Sequence, residues 1–359
     1  MGPYQINSDG KTLKENPNAW NKFASIVYIE APAGVGYSYS TRYLNTTDDL
    51  TAEENYVGIK QFFKRHPKFR FHSTFIMGES YGGIYIPMLT SKIIENQKHF
   101  SINLSGMAIG NGALSVSLMK KTGYQFLYSH GLIDEQSWRI FKETCCNGCI
   151  ETCNFDNITN GCFKIIYNDI HVNPYDIYGT CDSKTKYSVK DVIQNRNSMM
   201  TRFNKNISKS ENIIPCLNDS DISTYMNLPA VRKALHIPDK IYDWQICNNN
   251  IFNTYKNQYS DMTSFFKKVI NAKIPILLYY GDTDSICNFK MGQKFSLQLG
   301  LPLIESGKAW MVNGQVAGFK TVYDGLTFTT IRGAGHMAPQ WRAPETAHAI
   351  KQFVLNQPV

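Results

Sequence analysis

The stretch STFIMGESYGGIYIPMLTSKIIEN (residues 73–96) decides the fold. A run rich in β-branched and aromatic residues leads into GESYG (78–82), and a largely apolar helical pattern follows it. A G-x-S-x-G sequence between a strand and a helix is typical of a tight turn that lifts a serine hydroxyl clear of a sheet. We therefore predict a nucleophile elbow with Ser80 at its tip. The alternative is a serine without special reactivity in an ordinary glycine turn.

Four further runs have the composition of the strand before the elbow. Each is rich in β-branched or aromatic residues, lacks polar alternation and ends near a glycine. Such runs are typical of strands that are buried on both faces of a mostly parallel sheet. They are SIVYIEAPAG (25–34), LSGMAIGNG (104–112), IPILLYYGDTD (274–284) and LTFTTIRGAGH (326–336).

A helix is predicted between the first of these runs and the elbow strand. Thr51 and Glu54 have the spacing of a capping box at its start. The apolar residues that follow recur at helical spacing, namely Ala52, Tyr56, Ile59 and Phe63. Strand, helix and strand in alternation indicate an α/β fold.

The middle of the chain differs from both ends. Residues 115–225 are rich in Asn, Lys, Ser and Cys, whereas strand patterns mark 1–114 and 226–359. We therefore predict an α/β core with an inserted, partly helical cap. Five of the nine cysteines lie within 145–162, which favours disulfides that staple this cap. Zinc binding by the same thiolates is the alternative, but their spacing fits no standard zinc ribbon, so we predict no metal site.

Composition and sequons favour the secretory route. The 359 residues are 43% hydrophobic, and this share excludes a disordered chain. The net charge is +8. No apolar run approaches the ~18 residues of a membrane span. Five Asn-x-Ser/Thr sequons accompany the clustered cysteines, at Asn45, Asn103, Asn157, Asn206 and Asn218. Met1 opens onto polar residues without a signal-peptide pattern. We interpret this as a secretory-route chain that lacks its original N-terminus.

Nucleic-acid and dinucleotide binding are weakly indicated. The basic and aromatic stretch 60–72 overlaps the predicted helix, so a solvated helix end explains it better than a nucleic-acid site. Gly34-x-Gly36 lacks a third glycine, and Pro339 interrupts the helix that a second glycine motif at 333–338 would need. We expect neither a nucleic-acid partner nor a cofactor.

A base and an orienting acid for Ser80 follow later strands. Hydrolases of the elbow type place their residues in the chain order Ser, then Asp or Glu, then His. Asp282 and Asp284 follow the run at 274–280, and His336 follows the run at 326–331 within a glycine turn. The pattern predicts acyl-transfer chemistry with His336 as general base. Spacing alone does not choose between the two aspartates.

Several motifs together resemble the serine carboxypeptidases. They occur in order along most of the chain: APAGVGYSYS (31–40), GESYGG (78–83), YMNLPAVRKALHIP (225–238), GDTDSICN (281–288) and GAGHMAP (333–339). The resemblance implies an α/β-hydrolase fold with a cap insertion, and removal of C-terminal residues from peptides and proteins. It also implies a lysosomal or secreted protein and allows a homodimer.

The same resemblance implies roles for individual residues. Ser80 would be the nucleophile, His336 the base and Asp284 the acid. The backbone N–H of Tyr81 would donate to the oxyanion. Residues that contact substrate would be Glu79, Cys287 and Met337. Glu79 would hydrogen-bond the terminal carboxylate of the peptide while protonated, so we expect activity to be favoured at acidic pH.

The resemblance further implies a disulfide pattern and an upstream segment. The cap pairs would be Cys145–Cys162, Cys146–Cys153 and Cys181–Cys216, while Cys149 has no counterpart in the family. Cys247 would pair upstream of residue 1. We expect the family's upstream segment, with sheet strands, the second oxyanion donor and carboxylate-binding groups, to lie outside this chain. On that expectation the chain alone is weakly active or inactive.

Two other functions stay open. One is an esterase or acyltransferase activity on the same fold. The other is a catalytically weak or inactive homologue that acts as a binding or protective partner.

Overall fold

The computed structural model describes residues 1–41, 46–155, 158, 160–166, 172–180 and 220–359. The strands in this part of the chain are β1 (Tyr4–Ile6), β2 (Leu13–Glu15), β3 (Thr74–Glu79), β4 (Leu104–Gly110), β5 (Ile276–Gly281), β6 (Leu303–Val312), β7 (Gln315–Tyr323) and β8 (Leu326–Ile331). The α-helices are α1 (Asp48–Arg65), α2 (Gly82–Glu95), α3 (Val116–Ser129), α4 (Glu135–Cys145), α5 (Asn160–Ile166), α6 (Ser220–Met226), α7 (Pro229–Ala234), α8 (Asn249–Thr254), α9 (Thr263–Asn271), α10 (Phe289–Gln298), α11 (Ala338–Trp341) and α12 (Ala343–Val354). Short 3₁₀ helices cover Trp20–Lys22 and Pro67–Phe69.

The central sheet has the order β3-β4-β5-β8-β7-β6. The first four strands in this order run parallel, and β7 and β6 continue the sheet antiparallel. Parallel strands bring their carboxyl ends to one edge of a sheet, where α/β proteins place their ligands. The prediction of a mostly parallel sheet is confirmed for the four runs that form these strands.

Side chains alternate between the two faces of the sheet. In β5, Ile276, Leu278 and Tyr280 enter a large core that contains residues of α1, α2 and α9. Leu277 and Tyr279 enter a second core, with Ala349 and Ile350 of α12. Because both faces are covered by apolar groups, β5 is a continuous apolar run and not an alternating one.

The β6–β7 hairpin was not predicted, although the sequence contains its turn. Val312 pairs with Gln315, which leaves Asn313 and Gly314 as a two-residue turn. Their φ angles are 51° and 74°. Asn-Gly is the dipeptide that favours such turns, because both positions require positive φ.

The strand predicted over 25–34 is wrong. This segment has no strand in the structure, and Val27 and Tyr28 are 50% and 59% exposed. A strand requires a neighbour for its backbone hydrogen bonds. Among the described residues the sheet ends at β3, so nothing pairs with residues 25–34.

The predicted capping box is also wrong, because α1 begins one turn earlier. Thr47 is the N-cap, and its hydroxyl accepts from the N–H of Leu50 at 3.2 Å. Asp48 and Asp49 then occupy the first turn, where carboxylates complement the helix dipole. Thr51 lies buried inside the helix. The predicted apolar face is confirmed, since Ala52, Tyr56, Ile59 and Phe63 are all buried.

The described part of the predicted cap contains helices and two disulfides. Cys145–Cys162 and Cys146–Cys153 are both formed, so four of the five clustered cysteines are not available as zinc ligands. These helices have their own apolar core, which includes Phe126, Leu127, Trp138 and Phe141. The expected Cys181–Cys216 pair lies outside the described residues.

None of the helices in the described ranges is both long and apolar enough to cross a membrane.

Candidate active site

Ser80 stands on a strained turn between β3 and α2. Its φ is +61°, in the left-handed region that costs free energy for a residue with a side chain. The N–H of Ser80 donates to the carbonyl of Gly110 at 3.0 Å, and its own carbonyl accepts from the N–H groups of Gly83 and Ala113, both at 2.9 Å. Three backbone bonds therefore hold the serine at the carboxyl end of the sheet.

Close packing explains two of the glycines around Ser80. A Cβ on Gly83 would lie 2.5 Å from the backbone nitrogen of Ala113, and one on Gly78 would lie 2.7 Å from the side chain of Ile86. Gly82 is less crowded, because its nearest neighbour would be at 3.7 Å. The steric requirement of the turn thus falls on Gly78 and Gly83.

Asp284 and His336 form a buried acid–base pair. Asp284 follows β5 and is fully buried, and His336 follows β8 and is 5% exposed. The Nδ1–H of His336 donates to Oδ2 of Asp284 at 2.7 Å, which leaves Nε2 to exchange a proton. Since β3, β5 and β8 are parallel, their carboxyl ends bring Ser80, Asp284 and His336 to one edge of the sheet.

Asp282 has a different environment from Asp284. Its carboxylate accepts from the N–H of Gly333 at 2.7 Å and so joins the loop after β5 to the loop after β8. Burial raises the pKa of this carboxyl, and the Gly333 N–H opposes the rise. The geometry therefore brings Asp284, and not Asp282, to the imidazole.

Asn111 is a site residue that the sequence reasoning missed. It is buried directly after β4, and its side-chain amide donates to Oδ2 of Asp284 at 2.9 Å. Its Oδ1 accepts from the N–H of Gly281 at 2.9 Å, which fixes the orientation of the amide. The signal was present, because Asn111 follows a buried strand in the same way as Asp284 and His336. Its φ of +39° is a further mark of a constrained position.

The carboxylate of Asp284 receives donors on both oxygens. The N–H of Ile286 donates to Oδ1 at 2.8 Å, and that of Cys287 donates to Oδ2 at 3.1 Å. With Asn111 and His336 this makes four hydrogen bonds to one buried carboxylate. Such a set fixes the direction of the carboxylate toward the imidazole.

A segment of the predicted cap packs on His336. The backbone N–H of His336 donates to the carbonyl of Tyr175 at 2.7 Å, and the Tyr175 ring lies edge-on to the imidazole with 5.0 Å between centroids. Ser285, next to Asp284, donates through its backbone N–H to the carbonyl of Pro174 at 3.1 Å. The cap therefore limits the freedom of both loops that carry the acid–base pair.

Glu79 is the carboxyl group next to Ser80, at the end of β3. Its Oε2 is shielded from solvent and has no hydrogen-bond partner among the described residues. Burial raises the pKa of Glu79 to about 7; His336 opposes the rise, while the negative charge of Asp284 adds to it. A carboxyl with this pKa is a hydrogen-bond donor at acidic pH and an anion at alkaline pH.

The other sequence-predicted site residues lie on the same edge of the sheet. Tyr81 is the N-cap residue of α2, directly after Ser80. Cys287 is buried and contributes its N–H to Asp284, while Met337 is partly exposed directly after His336. In the described part of the chain, no group of three His, Cys, Asp or Glu side chains is arranged to hold a metal ion.

A strained serine after one strand, with a buried Asp–His pair after two others of the same parallel sheet, defines an α/β hydrolase. The sequence profile of the family described as serine carboxypeptidase matches residues 1–356. The chain belongs to the serine carboxypeptidase family.

Similar proteins cover nearly the whole chain. The lysosomal protective protein of Mus musculus is 35% identical over 99% of this chain and 80% of its own length. Serine carboxypeptidase ctsa-4.1 of Caenorhabditis elegans is 32% identical with the same coverage of both chains. Among solved structures, the prohormone-processing carboxypeptidase Kex1 of Saccharomyces cerevisiae matches 99% of this chain and 78% of its own chain, with a TM-score of 0.74 and 20% identity. That structural match shows the shared fold.

Proposed function

We propose that the protein removes C-terminal residues from peptides through an acyl-enzyme on Ser80. His336 Nε2 takes the proton of the Ser80 hydroxyl as Oγ bonds to the scissile carbonyl carbon. The C–N bond then breaks, and the same proton passes to the leaving amine. Water adds to the ester with His336 as base again, which releases the shortened peptide and restores Ser80. Asp284 holds the imidazole and stabilises the imidazolium that forms in each half-reaction.

The tetrahedral intermediates carry a negative oxygen that needs hydrogen-bond donors. The backbone N–H of Tyr81 stands at the start of α2, where the partial positive charge of a helix N-terminus adds to its effect. One such donor contributes about 3 kcal/mol of transition-state stabilisation in serine peptidases. Tyr81 is therefore our candidate for an oxyanion donor.

The observation that carries the exopeptidase proposal is the carboxyl of Glu79. A peptide C-terminus is a carboxylate, and a protonated Glu79 donates a hydrogen bond to it in the pair –COOH···⁻OOC–. Its Oε2 is buried, has no hydrogen-bond partner among the described residues and belongs to the residue before the nucleophile. We expect the terminal carboxylate of a bound peptide, one residue beyond the scissile bond, to approach this oxygen. Since the pKa of Glu79 is about 7, this recognition is present at acidic pH and is lost as the pH rises through 7. Cys287 and Met337 are expected to line the adjoining substrate pockets.

An acidic compartment of the secretory route suits this chemistry. Two disulfides indicate an oxidising environment, and the Asn103 sequon stands on an exposed residue. The mouse relative is named as a lysosomal protein. We place this protein in a lysosome-like compartment or outside the cell.

Turnover of N-blocked dipeptides with a free or an amidated C-terminus tests the proposal. At pH 5 we expect release of the free amino acid from the acid form, at least tenfold slower cleavage of the amide, and no turnover by Ser80→Ala. Equal rates for the two forms would contradict recognition of a terminal carboxylate. If the acyl group of an ester is transferred to an alcohol faster than the blocked dipeptide is hydrolysed, an esterase or acyltransferase would be favoured. A folded protein without turnover would favour a binding role.

A further inference from the structure

Asp48 is a buried carboxylate that the reaction described above does not use. It is fully buried at the first position of α1. Oδ1 accepts from the hydroxyls of Tyr81 and Tyr255, at 2.8 and 2.7 Å. Oδ2 accepts from the backbone N–H groups of Gln258 and Tyr259, at 2.6 and 3.2 Å. This carboxylate therefore joins three separate parts of the chain, one of which is the residue after the nucleophile.

The side chain of Tyr81 is held on several sides. Its hydroxyl donates to Asp48 and accepts from the side-chain amide of Asn257. Its ring packs edge-on against Tyr85 and Tyr255, with centroids 4.9 and 5.8 Å away. Burial, reinforced by the charge of Asp48, raises the pKa of Tyr81 far above its usual range, so this hydroxyl stays a donor at any working pH.

We infer that Asp48 is a positioning residue, which holds the side chain of Tyr81 so that the backbone N–H of Tyr81 points at the developing oxyanion. This inference rests on the proposed function. The ring and the N–H of Tyr81 share one Cα, so a ring fixed at its far end restricts the orientation of the peptide unit. An oxyanion donor must be placed within about 0.5 Å, and a misplacement of about 1 Å costs roughly 100-fold in rate. Asp48 reaches the site only through Tyr81 and does not contact the reacting atoms in this scheme.

The matched pair Asp48→Asn and Asp49→Asn tests the inference. An Asn side chain in place of Asp48 cannot accept four hydrogen bonds, because its NH₂ group is a donor. Asp49 is adjacent, is exposed, and contacts the same loop through Gln258 and Tyr259, at 2.9 and 2.8 Å. Both substitutions remove one negative charge from the same helix terminus. Only the first changes the side chain that accepts from the Tyr81 hydroxyl.

We expect Asp48→Asn to lower kcat about 10-fold with KM within about twofold, and Asp49→Asn to leave both unchanged. A peptidyl aldehyde, which forms an oxyanion on the serine, should bind Asp48→Asn about 10-fold more weakly. A blocked amino acid product should bind both variants as it binds the parent. Tyr81→Phe keeps the ring and loses the hydroxyl, and it should reproduce the loss in kcat and in aldehyde affinity.

Three results would overturn the inference. The first is an unchanged kcat in Asp48→Asn, and the second is an equal loss of kcat in Asp48→Asn and Asp49→Asn. The third is an equal loss of affinity for the aldehyde and for the product in Asp48→Asn, which would indicate a generally loosened site. If Asp48→Asn does not fold, Tyr81→Phe gives the same decision, and a parental kcat in that variant overturns the inference. The parent is assayed first on the blocked dipeptide, and its inactivity would count against the proposed function instead.

Discussion

Replacing Glu79 by glutamine should change how stability and activity depend on pH. In the folded protein the pKa of Glu79 is about 7, against 4.5 for an ordinary Glu, mainly because the carboxyl is buried. The folded state therefore binds the Glu79 proton more tightly than the unfolded state does. The difference corresponds to about 3 kcal/mol, at 1.36 kcal/mol for each pH unit.

The sign follows from proton uptake. Between pH 4.5 and 7 the folded state holds more protons than the unfolded state, so stability falls as the pH rises. The contribution is fully present below pH 4.5 and is lost once the pH has passed 7. The glutamine side chain of Glu79→Gln stays neutral throughout and lacks this loss. From pH 5 to pH 8, this variant should gain about 2.5 kcal/mol in unfolding free energy relative to the parent, because Glu79 in the unfolded parent has already begun to lose its proton at pH 5.

Urea unfolding at pH 5 and pH 8 measures the effect, and Glu54→Gln on the exposed face of α1 is the control. In parallel, kcat/KM of the parent for a free C-terminus should fall about tenfold per pH unit above 7, as Glu79 ionises and repels the substrate carboxylate. The side-chain amide of the Glu79→Gln variant keeps donating, so kcat/KM of that variant should be flat across this range. Parallel stability curves, together with equal pH profiles of kcat/KM, would refute the reasoning.

Two further substitutions test the support of the site. Asn111→Gly keeps the positive φ but removes the amide donor to Asp284. In steady-state assays kcat should therefore fall about 10- to 100-fold, as expected for a hydrogen bond to a charged group. An unchanged kcat would show that this hydrogen bond does not support catalysis. Gly83→Ala puts a Cβ 2.5 Å from the backbone nitrogen of Ala113, so thermal unfolding should show a loss of about 2 kcal/mol. Gly82→Ala, with its nearest contact at 3.7 Å, should lose less than half as much, and equal losses would contradict the steric argument.

The sequence predicts those features that depend on local patterns. The elbow strand and α2 follow from residues 73–96, because an apolar run, a glycine turn and a helical period lie next to one another. The apolar face of α1 follows from its helical period in the same way. The two observed cap disulfides had to come from the family resemblance, since cysteine spacing alone does not give connectivity.

Features that depend on distant partners were not predicted, or were predicted wrongly. Residues 25–34 have the composition of a strand, but pairing is decided by a neighbour elsewhere in the chain, and the described residues provide none. Asn111 and Asp48 are buried polar residues whose partners lie 173 and 33 residues away along the chain. Only the fold brings Asn111 to Asp284 and Asp48 to Tyr81, so their roles become visible only in three dimensions.

Labelling by a fluorophosphonate probe tests the central claim most directly. We incubate the parent, Ser80→Ala and His336→Ala at pH 5 and pH 7 and locate the adduct by mass spectrometry. A longer version, with the upstream segment that the family resemblance leads us to expect, is labelled in parallel. We predict a single adduct on Ser80 that is absent from Ser80→Ala and at least about 100-fold slower to form in His336→Ala. Labelling of only the longer version would still identify Ser80 as the nucleophile and would assign the activity to the longer chain. An adduct that persists in Ser80→Ala, or folded protein that never reacts in either version, would contradict the account.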